Sequence, residues 1–248
     1  MSSVEVVTAT SAQEIACAFE GGICHIEINR PDKRNALTMP MFVALAESLA
    51  LAESREDVKA VLVTGTGQAF CAGHDLQAFA EWPQGRGDPV PRFLHAIAEL
   101  RKPLVLAVHG SAAGIGVTWM LHADWVICSP DAALRLPFVD LAIAPEAASS
   151  ILLARAIGLQ RARCLLMGGE PFTGKQAHEW GLVTELAEAD QVRVTAWQRA
   201  RMLAAKDAHA LRQIKSWLHP AGGYTAQIDA EIAAINETVL RRSSGQPN

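Results

Sequence analysis

A chain of 248 residues, half of them hydrophobic and 19% charged, has enough apolar material to bury a substantial core, which excludes a disordered polypeptide. Its net charge of −4 excludes a protein that lives on the nucleic-acid backbone, while leaving room for a local basic patch that meets a phosphorylated small molecule.

Taken in chain order, the N-terminal segment "MSSVEVVTATSAQEIACAFEGG" has no basic n-region and carries acids, so neither a signal nor a transit peptide is expected. "ICHIEIN" (Ile23–Asn29) alternates apolar and polar residues with period two, as a half-exposed strand does. "RPDKRNALT" reads as a turn, and Met39 to Ala52 carries helical spacing. "VKAVLVTG" and "PLVLAVHG" are continuous apolar runs ending in glycine, the pattern of buried strands. Between them "EWPQGRGDPVPR" (Glu81–Arg92) reads as a mobile loop that borders the pocket. "DWVICS" and "AALRLP" are further short strands. Beyond residue 147 the character turns helical: Ala147–Ile157, Arg161–Met167, Lys175–Trp180, Asp190–Lys206, Ala208–Leu218 and Thr225–Arg241, with "GLVTEL" as one short strand among them. The division is an α/β core over residues 1–190 and a helical region over 191–248. No apolar run reaches the ~18 residues of a membrane span, and "SSGQPN" is not a peroxisomal address. A cytoplasmic protein without membrane contact is expected.

Five cysteines (Cys17, Cys24, Cys71, Cys128 and Cys164), odd in number and without a CxxC, suggest free thiols rather than a disulfide or zinc framework. Cys71 reads either as a nucleophile or as a small buried hydrophobe. His74, His109 and His122 are not spaced as a metal set, and no metal or redox cofactor is expected. "GEPFTGKQ" (Gly169–Gln176) imitates a P-loop, but Gln176 stands where the magnesium-binding hydroxyl belongs. Thr173 is better read as the N-cap of a helix beginning near Gly174.

Two glycine-containing loops follow buried strands. "GSAAGIG" (Gly110–Gly116) leads into "VTWMLHAD", and its glycines serve either an anion at a helix start or close backbone packing. "FCAGHDL" (Phe70–Leu76) offers Gly73 for unusual torsions and Asp75 as a cap for the next turn. Together the two loops could present two N–H donors to one oxygen, the geometry of an oxyanion hole. The acid in "LPFVDLAIAPEAASS", Glu146, is open to two readings: a solvated charge at a helix N-terminus, or a base held in an apolar pocket.

Four segments, in order, carry a resemblance that covers nearly the whole chain: "NRPDKRNALT", "FCAGHDL", "AVHGSAAGIG" and "RARCLLMGGEPFTGKQAHEWGLVTEL". The chain resembles the crotonase, or enoyl-CoA hydratase/isomerase, superfamily. The resemblance implies a crotonase-like α/β spiral of ββα turns with a helical C-terminal trimerisation region, assembling as a homotrimer or a hexamer built from two trimers. It implies an acyl-CoA thioester as substrate, with CoA arriving as part of that substrate. The hole would be formed by the N–H groups of His74 and Ile115, beside Ala72, Gly73, Asp75 and Gly114. Ile115 departs from the glycine usual there, and its side chain is expected to narrow the pocket. Lys33 and Arg34 are candidates for the CoA phosphates, or plain solvated turn charges.

Hydratases of this superfamily use two glutamates, and this chain has Thr118 and Phe138 at the matching positions. Hydration needs a base for water and an acid for the α-carbon, so it is disfavoured. "LPFVDLAIAPEAASS" instead resembles the corresponding region of the peroxisomal-type Δ3,Δ2-enoyl-CoA isomerases, in which a lone glutamate shuttles a proton between C2 and C4. Glu146 occupies that position. Burial among Leu141, Ile143, Ala144 and Ala147 should raise its pKa toward neutrality. Asp140 receives no role, and Asp124 reads as structural. The alternatives are another reaction of the superfamily (hydration, hydrolysis or decarboxylation of an acyl-CoA) and a non-catalytic acyl-CoA-binding protein.

Overall fold

The apolar runs of the sequence become the centre of a seven-stranded sheet. The computed structural model describes residues 5–8, 13–219 and 222–244. The expectation that the N-terminal segment is neither a signal nor a transit peptide, and the reading of the "SSGQPN" tail, fall in part outside the described residues. An antiparallel edge of β1 (Glu5–Thr8), β2 (Ile15–Glu20) and β3 (Ile23–Ile28) joins a parallel set, β4 (Ala60–Gly65), β5 (Leu104–Val108), β7 (Trp125–Cys128) and β10 (Glu185–Leu186). The order across the sheet is β1-β2-β3-β4-β5-β7-β10. A small second sheet pairs β6 (Ser111–Ala113) with β8 (Ala133–Arg135) and β8 with β9 (Phe172–Thr173).

Why β4 and β5 lack polar alternation follows from what covers them. Successive side chains of a strand point to opposite faces. Val61, Val63, Leu104 and Leu106 face the main core with α1 (Met39–Ser54) and α2 (Pro89–Glu99). Ala60, Leu62, Val105 and Ala107 face a second cluster formed with Val192, Ala196 and Ala200. The chain between these strands and that cluster comprises the one-turn α3 (Ile115–Thr118), α4 (Ser149–Ile157), α5 (Leu159–Gly168) and α6 (Gly174–Trp180). The second cluster's helix is α7 (Val192–Ala204), so the helical region expected from residue 191 shares the core of the sheet. α8 (Ala208–Leu218) and α9 (Thr225–Ser243) complete the chain. Among the described residues no helix is long and apolar enough to cross a membrane.

Two departures from the sequence reading have clear causes. The loop expected over Glu81–Arg92 ends at Asp88, where α2 begins on Pro89. Proline in a first helical turn forfeits no intrahelical bond, and Val90, Phe93, Leu94 and Ile97 form the buried face that holds α2 in place. The helix expected from Ala147 starts instead at Ser149, because Ala147 and Ala148 are left-handed, with φ of 60° and 54°. At α6 the capping box is closed: the Gln176 amide donates to Thr173 Oγ1 at 3.1 Å and the Thr173 amide to Gln176 Oε1 at 2.9 Å. The residue that spoils the P-loop pattern thus completes a helix cap.

The loop after β4 is tied down by Asn35, which is fully buried and left-handed at φ 58°. Its Nδ2 donates to the carbonyls of Thr66 at 2.9 Å and Ala69 at 2.7 Å, and its Oδ1 accepts the Arg30 amide at 2.8 Å. Asn35→Ala strands one buried and two part-buried backbone groups and places alanine at a torsion that asparagine tolerates better. Urea unfolding should show a loss of roughly 2–4 kcal/mol. A loss under about 0.5 kcal/mol, the size of a neutral surface change, would mean that the loop is anchored elsewhere.

Candidate active site

The site lies at the carboxyl ends of β4 and β5, where their following loops cross. Residues 70–75 run between two partners. On one side the Ala72 amide donates to the Arg34 carbonyl at 3.0 Å, Leu37 to Gly73 at 2.8 Å, and Asp75 to Leu37 at 2.8 Å. On the other side the Ala113 amide donates to the Cys71 carbonyl at 3.0 Å. Gly73 has φ of +93°, and a Cβ there would lie 2.9 Å from the Ala113 carbonyl oxygen. Gly116 packs still closer, since a Cβ on it would come within 2.3 Å of the Cys71 oxygen. Close packing is therefore one purpose of the glycine-rich turn. Its result is to bring Gly73 against Ala113 and Gly114, the residues that lead into His74 and Ile115.

A cavity of about 230 Å³ opens at this crossing. Ala72, Gly73, His74, Gly114, Phe138 and Glu146 all contribute to its wall. Trp82 and Ile235, which sequence reasoning did not single out, complete it. Ile115 is fully buried in the main core and is not part of the wall, so its side chain does not narrow the cavity as expected. Thr118 is buried and also outside the wall. A larger concavity, about 770 Å³ along α1 and α2, is lined by Glu53, His95 and Glu99 and holds none of the candidate site residues.

Glu146 is the acid of the cavity. It is 2% exposed, and its Oε1 accepts no hydrogen bond among the described residues. Its Oε2 lies 3.8 Å from His74 Nδ1. Burial, reinforced by the charge of Glu231, pushes the Glu146 carboxyl up to about 8. Burial holds His74 down at about 4, so this contact joins a neutral imidazole to a carboxyl that titrates near neutrality. The His74 ring packs at a tilt against Phe42, with centroids 4.6 Å apart. The reading of Glu146 as a solvated helix-terminus charge is thereby excluded.

The turn after Glu146 is clamped from two sides. His122 Nε2 donates to the Ala147 carbonyl at 2.8 Å, and the Ala148 amide donates to Glu231 Oε2 at 2.7 Å. Glu231 also accepts the Ser150 amide at 3.2 Å and the Ser150 hydroxyl.

The remaining candidates divide between support and surroundings. The Asp75 carboxylate, expected beside the substrate, is engaged by Arg30 at 2.6 Å and by the Gln77 amide at 3.0 Å, and these two donors hold it below the usual carboxylate range. It caps the turn at Leu76–Glu81 and fixes the loop. Lys33 and Arg34 are exposed on the turn whose Arg34 carbonyl holds Ala72, at the margin of the cavity. Cys71 is fully buried and its thiol is pushed up to about 12, which removes it as a nucleophile. His109 bonds to the Gly67 carbonyl at 3.0 Å, and among the described residues no three His, Cys, Asp or Glu side chains are grouped to hold a metal ion. Asp124 accepts the Leu104 amide and pairs with Lys215, as a structural residue does.

Trp82 lies inside the Glu81–Arg92 segment, which reads from the sequence as a loop bordering the pocket, although no single residue of it stood out. Ile235 comes from α9, far along the chain, and had no local signal.

A family model described as enoyl-CoA hydratase/isomerase matches residues 18–242. The chain is 35% identical over 233 residues to the 1,2-epoxyphenylacetyl-CoA isomerase of Escherichia coli, covering 91% of this chain and 89% of that protein. It is 39% identical over 196 residues to the probable enoyl-CoA hydratase EchA14 of Mycobacterium tuberculosis, covering 76% and 73%. Among solved structures, Pseudomonas aeruginosa OdaA superposes with a TM-score of 0.88 at 35% identity, over 92% of this chain and 94% of that one. With two of the four matched motifs lying in the crossing loops and the expected crotonase-like fold in place, the chain belongs to the enoyl-CoA hydratase/isomerase family.

Proposed function

We propose that this enzyme is a Δ3,Δ2-enoyl-CoA isomerase that works with one proton-carrying side chain. The observation that carries this reading is Glu146: a buried carboxyl, one oxygen of which accepts no hydrogen bond among the described residues, in the wall of an apolar cavity beside the crossing of two glycine loops. The positions at which hydratases of the superfamily carry their two glutamates hold Thr118 and Phe138, neither of which can activate water.

In this mechanism the thioester oxygen accepts the N–H groups of His74 and Ile115. As the C2 proton leaves, negative charge gathers on that oxygen, and each such donor is typically worth ~10²–10³ in rate. The Glu146 carboxylate takes the C2 proton of a 3-enoyl-CoA, leaving a dienolate. The protonated Glu146 returns the proton to C4, the electrons settle as a C2–C3 double bond, and the carboxylate is restored. A pKa of about 8 suits a group that must first accept and then donate. In this reading Ala72, Gly73 and Gly114 line the acyl path, Phe138 closes one wall, and Lys33 and Arg34 meet the CoA phosphates.

A second reading keeps the chemistry and changes the acyl group. The E. coli relative is named for a ring-bearing acyl-CoA, and the cavity here has Trp82 in its wall and the His74 ring beside it. Competition between straight-chain and ring-bearing 3-enoyl-CoAs for the same enzyme distinguishes the two.

Glu146→Gln should lower kcat for 3-enoyl-CoA by about 10²–10⁴-fold, the range for loss of a general acid–base group, with acyl-CoA affinity retained. Equal turnover by the variant removes Glu146 from the reaction. Because the base form is needed first, wild-type kcat/KM should rise with pH and level off above about 8. A profile flat from pH 6 to 9 would contradict an elevated carboxyl.

The same group sets a pH-dependent stability. Folding raises the Glu146 pKa from 4.5 to about 8, so the folded state binds the extra proton between those values and wild type loses stability as pH rises through that window. The Tm of Glu146→Gln minus that of wild type should therefore grow from pH 5 to pH 8 and then level off. A difference that does not change with pH would mean that the carboxyl ionises as freely in the fold as in water.

A further inference from the structure

The Glu146 carboxyl is aimed by a backbone that alanine does not favour. A left-handed residue other than glycine costs roughly 1–2 kcal/mol, and two occur in succession at Ala147 and Ala148. Such torsions persist only where surrounding contacts over-determine them. His122 supplies one contact, on the Ala147 carbonyl. The backbone adds the Ser149 amide on the Glu146 carbonyl at 3.0 Å and the Ile151 and Leu152 amides on the Ala148 carbonyl at 3.1 and 2.9 Å. The turn's own amides at Ala148 and Ser150 are met by Glu231, which is 4% exposed in the middle of α9. One of its oxygens accepts the Ala148 amide, and the other accepts both the amide and the hydroxyl of Ser150. Gln227, one turn earlier on α9, donates to the Ser150 hydroxyl at 2.9 Å and so orients its proton toward Glu231.

We infer that Glu231 is a positioning residue for Glu146: the C-terminal helix presents it to the turn at Ala148–Ser150, and its acceptance of those three donors fixes the strained backbone that points the Glu146 carboxyl into the cavity. α9 is itself immobilised where this requires. Its Asn236 exchanges two hydrogen bonds of 2.8 Å with the backbone of Gln84, and its Asp229 meets His95 of α2 at 2.9 Å. One helix therefore braces both the Trp82 wall and the Glu146 turn. Ile235, on the same helix, closes the cavity between them.

Glu231 has a second effect on its client. The titratable groups around the Glu146 carboxyl are His74 and Cys71 from the loop after β4 and Glu231 from α9, with His122 bonded to the adjoining Ala147 carbonyl. Burial keeps the two imidazoles neutral and the thiol protonated. Burial raises the Glu231 carboxyl too, against the donors of Ser150, Ala148 and Gln227 that favour its charge, and Glu231 when ionised is the neighbour that opposes ionisation of Glu146.

The inference rests on Glu146 as the proton carrier, and its test separates the two claims. For wild type, Glu231→Ala, Glu231→Gln and Ser150→Ala, kcat and KM would be measured with a 3-enoyl-CoA, and Kd with a saturated acyl-CoA. The Glu146 carboxyl would be titrated without substrate by ¹³C NMR, its resonance assigned by its loss in Glu146→Gln. Glu231→Ala should lower kcat about 10²-fold, the scale of an ångström-sized misplacement, with Kd within about twofold. Glu231→Gln, which keeps one acceptor oxygen, should recover part of kcat and move the Glu146 midpoint below about 8. Ser150→Ala should fall between wild type and Glu231→Ala. Wild-type kcat in folded Glu231→Ala, or an unmoved Glu146 midpoint in Glu231→Gln, overturns the inference. If Glu231→Ala does not fold, the other two variants decide by the same criteria. If wild type turns over no 3-enoyl-CoA, the isomerase reading fails. The titration, together with hydrogen-exchange protection of the Ala148 amide, then decides the role of Glu231: both unchanged in Glu231→Gln overturns it.

Discussion

One carboxyl held out of water governs the rest of this site. Burying an ionised carboxylate without partners is among the costliest things a fold can do, and the usual escape is to keep the proton. Glu146 sits at that boundary: deep enough that its proton is retained up to about pH 8, and open to a cavity where a substrate carbon could receive it. Well-packed apolar walls sustain this condition. The neutrality of His74 matters equally, since a charged imidazole 3.8 Å away would pull Glu146 back to an ordinary acid.

The opposite side of the site is built from backbone. Two loops that follow neighbouring parallel strands approach so closely that Gly73 and Gly116 have no room for a Cβ. Asn35 and the Arg30–Asp75 pair fix one loop from outside, while β6 carries the other. Rigid loops matter because donors that need not reorganise stabilise developing charge far better than mobile ones. The proposed hole uses only the backbone of position 115, and the isoleucine side chain there is buried in the core.

Much of this was legible in the sequence, and the failures share a cause. Continuous apolar runs announced β4 and β5 because both faces of those strands are covered, and Thr173 and Gln176 announced their cap through local chemistry. Glu146 stood out as an acid in apolar company. What could not be read were consequences of distant packing. Ala147 and Ala148 are good helix formers by propensity, and the side chains that meet their left-handed turn, Glu231 and His122, are brought in by α9 and by the segment after α3. Proline and glycine around residue 88 suggested loop, yet prolines at the start of α2 cost little and its apolar face decided the outcome. Asp75 looked available to a ligand because nothing nearby in sequence marks Arg30 as its partner.

The central claim is that a single carboxyl carries the proton from C2 to C4, and a label can follow that proton. A 3-enoyl-CoA deuterated at C2 would be converted in water in a single turnover and the product examined for deuterium at C4. Transfer of a measurable share of the label to C4, absent in Glu146→Gln, is the predicted result. Product formed at full rate with no deuterium at C4 even in the first turnover would mean that separate groups remove and return the proton, and the one-carboxyl account would be wrong.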